Sequence, residues 1–141
     1  MAELRISGDF ADVDLDVVHG FLSRDAYWCR GITRDRVERA ARHSLCFSAL
    51  LDGAQVGFAR VVTDRATFGY LADVFVLPAH RGQGISQAMM AAILAHPELQ
   101  GLRRFLLATS DAHGLYAKYD FQPITRPERF MERYRPDAHL D

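Results

Sequence analysis

Apolar residues recur at helical spacing in several parts of the chain. One apolar face within residues 14–24 consists of Leu15, Val18, Phe21 and Leu22. Thr33 can cap the next helix, because its hydroxyl can accept a hydrogen bond from a free amide of the first turn. The pattern predicts four helices: residues 14–24, 34–43 and 85–95, and a shorter helix that begins at Asp111.

Runs of β-branched, aromatic and alternating apolar residues predict the strands. Asp52-Gly53 favours a two-residue hairpin turn, so the runs on either side of it are expected to pair. Pro78 ends the strand that begins near Tyr70, because proline has no amide hydrogen to donate to a neighbouring strand. The predicted strands are residues 4–7, 44–51, 55–63, 70–77, 103–108, 121–124 and 130–134.

The order of these elements predicts an α/β (α+β) protein. Strands and helices alternate as β-α-α-β-β-β-α-β-α-β-β, so we expect a mixed sheet of about seven strands with about four helices on its two faces. At 141 residues the chain suits one domain with a sizeable core, which we assign to residues 1–141. We expect the tail from Pro136 to be frayed.

The composition is that of an ordinary globular protein, with 49% hydrophobic and 25% charged residues. A net charge of −1 provides no overall basic field, so we expect no nucleic-acid or membrane partner. Cys29 and Cys46 lack metal-ligand spacing, and we expect no metal and a reducing compartment. The chain shows no targeting pattern and no apolar run of membrane-spanning length, which favours a cytoplasmic protein.

A glycine-rich loop separates the fourth predicted strand from the helix that begins at Ile85. Gly82 and Gly84 leave backbone amides uncovered, and the helix start adds free amides and the positive end of its dipole. Such a loop can bind a pyrophosphate, although a turn without a ligand is the simpler alternative. The dinucleotide pattern G-x-G-x-x-G fails at Gln87, and no mononucleotide P-loop occurs.

Two stretches resemble motifs of one enzyme family. The loop Arg81-Gly82-Gln83-Gly84-Ile85-Ser86, preceded by Val76-Leu77-Pro78, resembles the acetyl-CoA-binding motif of the GCN5-related N-acetyltransferase (GNAT) superfamily, with Ser86 where Gly or Ala is usual. Residues 109–121 resemble the family motif Asn-x-x-Ala-x-x-Leu-Tyr-x-x-x-Gly-Phe. Thr109 replaces the Asn and Asp120 replaces the Gly, and the matching residues are Ala112, Leu115, Tyr116 and Phe121.

The resemblance implies a mostly antiparallel sheet whose fourth and fifth strands splay apart to form a cofactor cleft. It also implies direct transfer of an acetyl group from the co-substrate acetyl-CoA to an amine, with no covalent enzyme intermediate. Backbone groups of the fourth strand after its bulge would bind pantetheine, and an amide there could polarise the thioester carbonyl. The implied cofactor-binding residues are Phe75, Val76, Leu77, Arg81, Gly82, Gln83, Gly84, Ile85, Ser86 and Thr109.

Two residues are candidates for proton transfer. Tyr116 is the candidate acid, because a phenol of pKa about 10 can protonate a leaving thiolate whose thiol has a pKa of about 8.5. A core tyrosine on an amphipathic helix is the structural alternative. Asp73 is the best-placed carboxylate to take a proton from the attacking amine. Asp73 could equally anchor a loop or pair with an arginine, and a water chain could take its place as the base.

The resemblance implies an acceptor pocket formed by the first two helices, their link and the C-terminal hairpin. In this chain the link supplies Tyr27, Trp28 and Arg30. An aromatic wall with Asp73 favours a cationic amine, whereas Arg30 favours an acceptor that carries a carboxylate. We therefore predict an N-acetyltransferase that acts on an amino acid or another small primary amine. The alternatives are a peptide or protein amine as acceptor and a non-catalytic acyl-CoA-binding sensor domain. A homodimer through a sheet edge or the C-terminal hairpin is compatible with the pattern.

Overall fold

A computed structural model describes residues 2–141 of the chain. The strands are β1 (Leu4–Ser7), β2 (Leu45–Leu51), β3 (Ala54–Thr63), β4 (Phe68–Val76) and β5 (Arg104–Leu107). The helices are α1 (Leu15–Arg24), α2 (Arg34–Arg42), α3 (Ile85–Ala95) and α4 (His113–Ala117). The predicted four helices and first five strands are therefore confirmed, with bounds that differ by a few residues.

The five strands form one sheet in the order β1-β2-β3-β4-β5. Neighbouring strands are antiparallel, except that β4 and β5 run parallel. The hairpin predicted at Asp52-Gly53 joins β2 to β3, with Leu51 opposite Ala54. The mixed, mostly antiparallel sheet with helices on both faces is thus confirmed.

The sheet has five strands, and the prediction of about seven was wrong. Residues 121–124 and 130–134 form no strand and are mostly exposed to solvent. Pro123 and Pro127 interrupt this part of the chain, and Pro127 begins a short 3-10 turn that ends at Arg129. Pro123 lies inside the first of these segments and donates no backbone hydrogen bond, and within residues 2–141 the second segment pairs with no strand of the sheet.

Two layers of helix cover the two faces of the sheet. On one face α1 and α2 pack against Cys46, Phe58 and Phe75, and the Phe21 ring stacks on Phe75 with centroids 4.1 Å apart. On the other face α3 buries Met89, Met90 and Ile93 against the sheet. Burial of each such side chain contributes about 2 kcal/mol, so the two layers hold the sheet from both sides.

A bulge interrupts β4 at Asp73. Phe58 pairs with Phe75 and Arg60 pairs with Ala72, so β4 contains one residue more than β3 between these pairs. Asp73 adopts a left-handed conformation with φ of 56°. Because of the extra residue, Leu71 and Val74 both contact the α3 side of the sheet, although strict alternation would place them on opposite faces.

The C-terminal tail is not frayed, so that expectation was wrong. The amide of Thr33 donates a hydrogen bond to the carbonyl of His139, and the His139 ring nitrogen Nε2 lies 2.9 Å from the carbonyl oxygen of Arg30. Arg36 donates from Nε to the carbonyl of Asp141 at 2.9 Å. These contacts attach the end of the chain to the link between α1 and α2.

Candidate functional site

A cleft opens where β4 and β5 separate. The two strands pair only between Phe68–Leu71 and Arg104–Leu107, whereas β4 continues to Val76. A cavity of about 560 Å³ lies at this point. Its walls are residues 70–74 of β4, residues 107–112 at and after the end of β5, and the side chains of Tyr27, Trp28, Arg60 and Tyr116.

The glycine-rich loop lies at the N-terminus of α3 and is exposed. Gly82 and Gly84 both have φ of 78°, a left-handed conformation that glycine adopts without strain. In the described part of the chain, residues 2–141, no acceptor lies within hydrogen-bonding distance of the amides of residues 82–87. These free amides and the N-terminal end of α3 form a site of the kind that binds phosphate oxygens.

The loop is tied to the end of β4 by Arg81. Its Nε donates a hydrogen bond of 3.1 Å to the carbonyl of Val76. Beside it, the amide of Leu77 donates to the carbonyl of Val56 on β3. Because hydrogen-bonded and non-bonded pairs alternate along antiparallel strands, the amide and carbonyl of Val76 point away from β3. The amide remains available on the side where β5 has separated from β4, whereas the carbonyl accepts the hydrogen bond from Arg81.

Asp73 accepts hydrogen bonds on both carboxylate oxygens. Arg60 donates from Nε to Oδ2 at 2.7 Å, and Trp28 donates from the indole Nε1 to Oδ1 at 3.0 Å. The ion pair is largely buried, with side-chain exposures of 19% for Arg60 and 13% for Asp73. Arg60 also donates to the hydroxyl of Ser44 at 3.2 Å. The negative charge of Asp73 is therefore balanced within the site.

Tyr116 lies in the cavity wall and is half-buried. Its ring packs edge-on against Phe121, with centroids 6.1 Å apart. Burial raises the pKa of the Tyr116 phenol above its ordinary value, and the carboxylate of Asp111 raises that pKa further. Tyr116 therefore keeps its proton at neutral pH and can donate it.

The loop between β5 and α4 meets the link between α1 and α2 across the cavity. Thr109 accepts the amide of Ala112 on its hydroxyl at 3.0 Å and so shapes the loop. The hydroxyls of Tyr27 and Ser110 form a hydrogen bond. Tyr27 also packs edge-on against Trp28, with centroids 5.1 Å apart. The two aromatic residues form one wall of the cavity and are partly exposed.

The structure brings five of the fifteen predicted site residues together in the cavity wall. Tyr27, Trp28, Asp73, Thr109 and Tyr116 all line the cavity. Phe75 lies in the core beneath α1, residues 81–84 form the exposed loop beside the end of β4, and Ile85 and Ser86 begin α3, with Ile85 buried. Arg30 does not line the cavity, and its backbone carbonyl contacts the ring of His139 in the C-terminal tail.

Sequence reasoning missed several residues of the cavity wall. Ser110 and Asp111 lie within the second motif, so their position in the chain could have suggested them. Tyr70 begins the stretch that was predicted as a strand, but nothing marked its side chain as facing a cavity. Arg60 had no local signal, because it belongs to the site only through its pairing with Asp73 across the sheet.

Both cysteines are buried and free. Burial raises the pKa of Cys29 to about 12, and burial likewise raises that of Cys46 to about 11. Neither thiol therefore provides a nucleophile at neutral pH. Within residues 2–141, no group of three or more His, Cys, Asp or Glu side chains is arranged to hold a metal ion. No helix in the same part of the chain is both long and apolar enough to cross a membrane.

Comparison with known proteins identifies the family. The family model described as "Acetyltransferase (GNAT) family" matches residues 15–121, which include the cleft, the glycine-rich loop and Tyr116. The chain belongs to the GNAT family. A GNAT-family protein of Xanthomonas campestris pv. campestris has a similar crystal structure, with a TM-score of 0.96 and 54% identity over 99% of this chain and 98% of that one.

Two further proteins are similar to the chain. A protein of Gibberella zeae, provisionally named an acetyltransferase, is 35% identical over 135 residues, which cover 80% of this chain and 75% of that protein. A protein of Clostridium acetobutylicum, also provisionally named an acetyltransferase, has a crystal structure with acetyl-CoA. At 18% identity and a TM-score of 0.66, over 95% of this chain and 96% of that one, it shows the shared fold alone. The GNAT resemblance of the two sequence motifs is thus confirmed.

Proposed function

We propose that this GNAT protein transfers an acetyl group from acetyl-CoA to a primary amine of a small molecule. The observation that carries the proposal is the position of Tyr116 in the cleft between β4 and β5. The glycine-rich loop follows β4, whose residues 70–74 line the same cleft. The family match supports acetyl transfer, and the Clostridium acetobutylicum relative that was crystallised with acetyl-CoA supports the choice of donor.

The residues of the cleft fit acetyl-CoA. Amides of residues 82–87, which lack partners within residues 2–141, would bind the pyrophosphate, and the positive end of the α3 dipole would favour its charge. The outward amide of Val76 would bind the pantetheine arm. Glycine suits positions 82 and 84 because both have φ of 78°, a conformation in which a residue with a side chain would be strained.

When bound, acetyl-CoA supplies a thioester: the amine nitrogen bonds to the acetyl carbon, the carbon–sulfur bond breaks and the thiolate takes up a proton. We assign that proton to the Tyr116 hydroxyl, whose raised pKa keeps it protonated before the reaction. The amine must lose a proton, which passes to solvent through the open side of the cavity. Tyr116 is reprotonated from solvent between turnovers.

We assign Asp73 a positioning role. A carboxylate that accepts from both Arg60 and Trp28 has little free capacity to bind a proton from the amine. Its contacts join Trp28, in the link between α1 and α2, to the bulge in β4. Asp73 therefore holds in place the cavity wall that faces the acceptor. If Asp73 instead serves as the base, its removal must abolish the acidic limb of the pH–rate profile.

The proposal is tested by binding and turnover together. Wild type should bind acetyl-CoA in calorimetry, and Gly84→Glu should not, because it places bulk and negative charge in the loop. Tyr116→Phe should keep binding and lose turnover with an amine panel. Tyr119→Phe is the matched control, because Tyr119 lies on the same segment outside the cavity wall. Absence of acetyl-CoA binding by wild type would contradict the proposed function.

The same experiment separates the two alternatives. A non-catalytic acyl-CoA-binding domain would bind acetyl-CoA but acetylate no amine, with or without Tyr116. An enzyme for protein or peptide amines would acetylate a peptide panel and leave small amines unchanged. The cavity of about 560 Å³ is of the size that encloses small ligands, which favours a small acceptor.

A second copy of the chain is the partner that we propose. β5 is an edge strand of the sheet, and beside it Phe130 lies 4.7 Å from the guanidinium carbon of Arg104. Nearby, Met131 is 98% exposed and Tyr134 is 72% exposed. Pairing between copies would cover this apolar segment.

Light scattering tests the proposed pairing and should give twice the monomer mass of 15.9 kDa. Met131→Asp should restore the monomer. A monomeric wild type would contradict the pairing.

We also propose that the protein works in the cytoplasm. Its two cysteines are buried, unpaired and held as thiols, which suits a reducing compartment. Cell fractionation with an antibody against the protein tests this, and recovery in the membrane or secreted fraction would contradict it.

A further inference from the structure

The ionic groups of the cavity wall leave one negative charge without a partner. Arg60 and Asp73 neutralise each other in an ion pair of 2.7 Å. Asp111 also lines the cavity, and within residues 2–141 its carboxylate has neither an ion pair nor a hydrogen bond. The wall therefore has a net negative charge on the side of the loop between β5 and α4.

The opposite wall is aromatic. Tyr27 and Trp28 are 55% and 44% exposed, and with Tyr70 they present π-faces or ring edges to the same cavity. Aromatic faces attract cations, and they attract anions weakly or not at all. The aromatic wall and the carboxylate of Asp111 thus favour the same kind of ligand, a positively charged one.

The cavity wall offers a carboxylate no basic side chain that lacks an ion partner. Arg60 is the only arginine in the wall, and Asp73 already occupies it. Arg30, which could have recognised an anionic acceptor, lies outside the wall. An amino acid would therefore leave its carboxylate unpaired beside Asp111, which is unfavourable.

We infer that the acceptor is a diamine, whose second, non-reacting ammonium group is bound by Asp111 and the aromatic residues Tyr27 and Trp28. This inference rests on the proposed acetyl transfer and names its acceptor class. One amine is acetylated near Tyr116 while the other keeps its proton and stays at Asp111. The N–C bond forms at the first nitrogen only, and the second nitrogen takes no part in the bond changes.

The test compares three acceptors that each contain a chain of four carbons: 1,4-diaminobutane, butylamine and 4-aminobutanoate. Wild type should show kcat/KM for the diamine about tenfold or more above that for butylamine, because a charge-assisted contact is lost with the neutral methyl end. With 4-aminobutanoate kcat/KM should be the lowest of the three. Asp111→Asn should bring the diamine-to-butylamine ratio close to one, chiefly by raising KM for the diamine.

The ratio is the informative quantity because Asp111 also influences Tyr116. A change in the acidity of Tyr116 alters both acceptors equally and cancels in the ratio. Asp120→Asn is the matched control, because Asp120 is exposed, lies outside the cavity wall and has a left-handed φ of 68° that Asn tolerates. This control should keep the wild-type ratio.

The outcomes separate the inference from the proposed function. Equal rates with diamine and butylamine in wild type would keep acetyl transfer and overturn the diamine inference. The inference is likewise overturned if 4-aminobutanoate is preferred, or if Asp111→Asn leaves the ratio unchanged. If no amine is acetylated, acetyl transfer fails, and calorimetric binding of 1,4-diaminobutane to wild type and Asp111→Asn decides the inference: equal or absent binding overturns it.

Discussion

The indole Nε1 of Trp28 donates a hydrogen bond of 3.0 Å to Oδ1 of Asp73, which joins the link between α1 and α2 to the bulge in β4. The bulge turns the backbone of Asp73 into a left-handed conformation and so directs its carboxylate between Trp28 and Arg60. The bulge in β4 therefore positions Trp28, which lies in the link between α1 and α2.

Asp73→Asn should lower the stability of the folded protein and should not remove a catalytic base. Asn can still accept the hydrogen bond from Trp28, but Arg60 loses its ionic partner in a largely buried position. We expect the free energy of unfolding to fall by about 1–3 kcal/mol, measured by urea denaturation. The acidic limb of the pH–rate profile should stay in place while KM for the acceptor rises.

Trp28→Phe provides the matched comparison for Asp73→Asn. It removes the hydrogen bond from Trp28 to Asp73 but keeps an aromatic ring and leaves the ion pair of Arg60 and Asp73 intact. We expect a similar rise in acceptor KM with a smaller loss of stability. If Asp73→Asn abolishes the acidic limb whereas Trp28→Phe keeps it, Asp73 is the base and the positioning role is wrong.

Tyr116→Phe should lower kcat about 100-fold or more and leave acetyl-CoA affinity unchanged, because proton donation contributes on that scale. Burial and Asp111 raise the pKa of the phenol above its ordinary value. The active, protonated form therefore persists as pH rises, and activity should fall only above about pH 10. Asp111→Asn should lower that alkaline limit. A wild-type profile that falls near pH 8 would contradict the role of Tyr116.

Gly84→Ala should destabilise the loop through the backbone and not through crowding. Gly84 has φ of 78°, and a Cβ built there meets no atom within 4 Å. Forcing alanine into this conformation costs about 1–2 kcal/mol, so we expect that loss of stability or an equivalent loss of acetyl-CoA affinity. Titration calorimetry and thermal unfolding measure the two effects.

Gly114→Ala is the control for Gly84→Ala. Gly114 lies within α4, its φ is not positive and a Cβ there also meets nothing within 4 Å. Alanine should therefore stabilise the protein by up to about 1 kcal/mol, since it favours the helix. Equal effects at the two glycines would mean that backbone conformation does not distinguish them.

Cys29 and Cys46 should not react with a thiol reagent such as dithionitrobenzoate in the native protein at pH 8. Burial raises their pKa values to about 12 and about 11, which keeps both as thiols. Because the folded protein favours the protonated form, this contribution to stability is complete below the unfolded pKa of about 8.5 and is lost as pH rises towards 11–12. Rapid labelling of either thiol without denaturant would contradict the assignment.

Much of the fold follows from local patterns in the sequence. The apolar face of α1, the Thr33 cap of α2 and the Asp52-Gly53 turn each act over a few residues, and each is present as predicted. The predicted strands at residues 121–124 and 130–134 are absent, although their residues have strand-like composition. A strand needs a partner as well as composition, and within residues 2–141 this segment finds none.

The sequence alone determined the element order as far as α4, the glycine-rich loop before α3 and the presence of Tyr116 in a recognisable motif, because these depend on residues close together in the chain. Only the tertiary structure decided which residues surround Asp73 and that the cavity wall contains the unpaired carboxylate of Asp111. It also decided that Arg30 lies outside that wall. Those relationships join Trp28, Arg60 and Asp111 across separate elements. Packing of the helices and the sheet brings such residues together, and no periodicity along the chain records it.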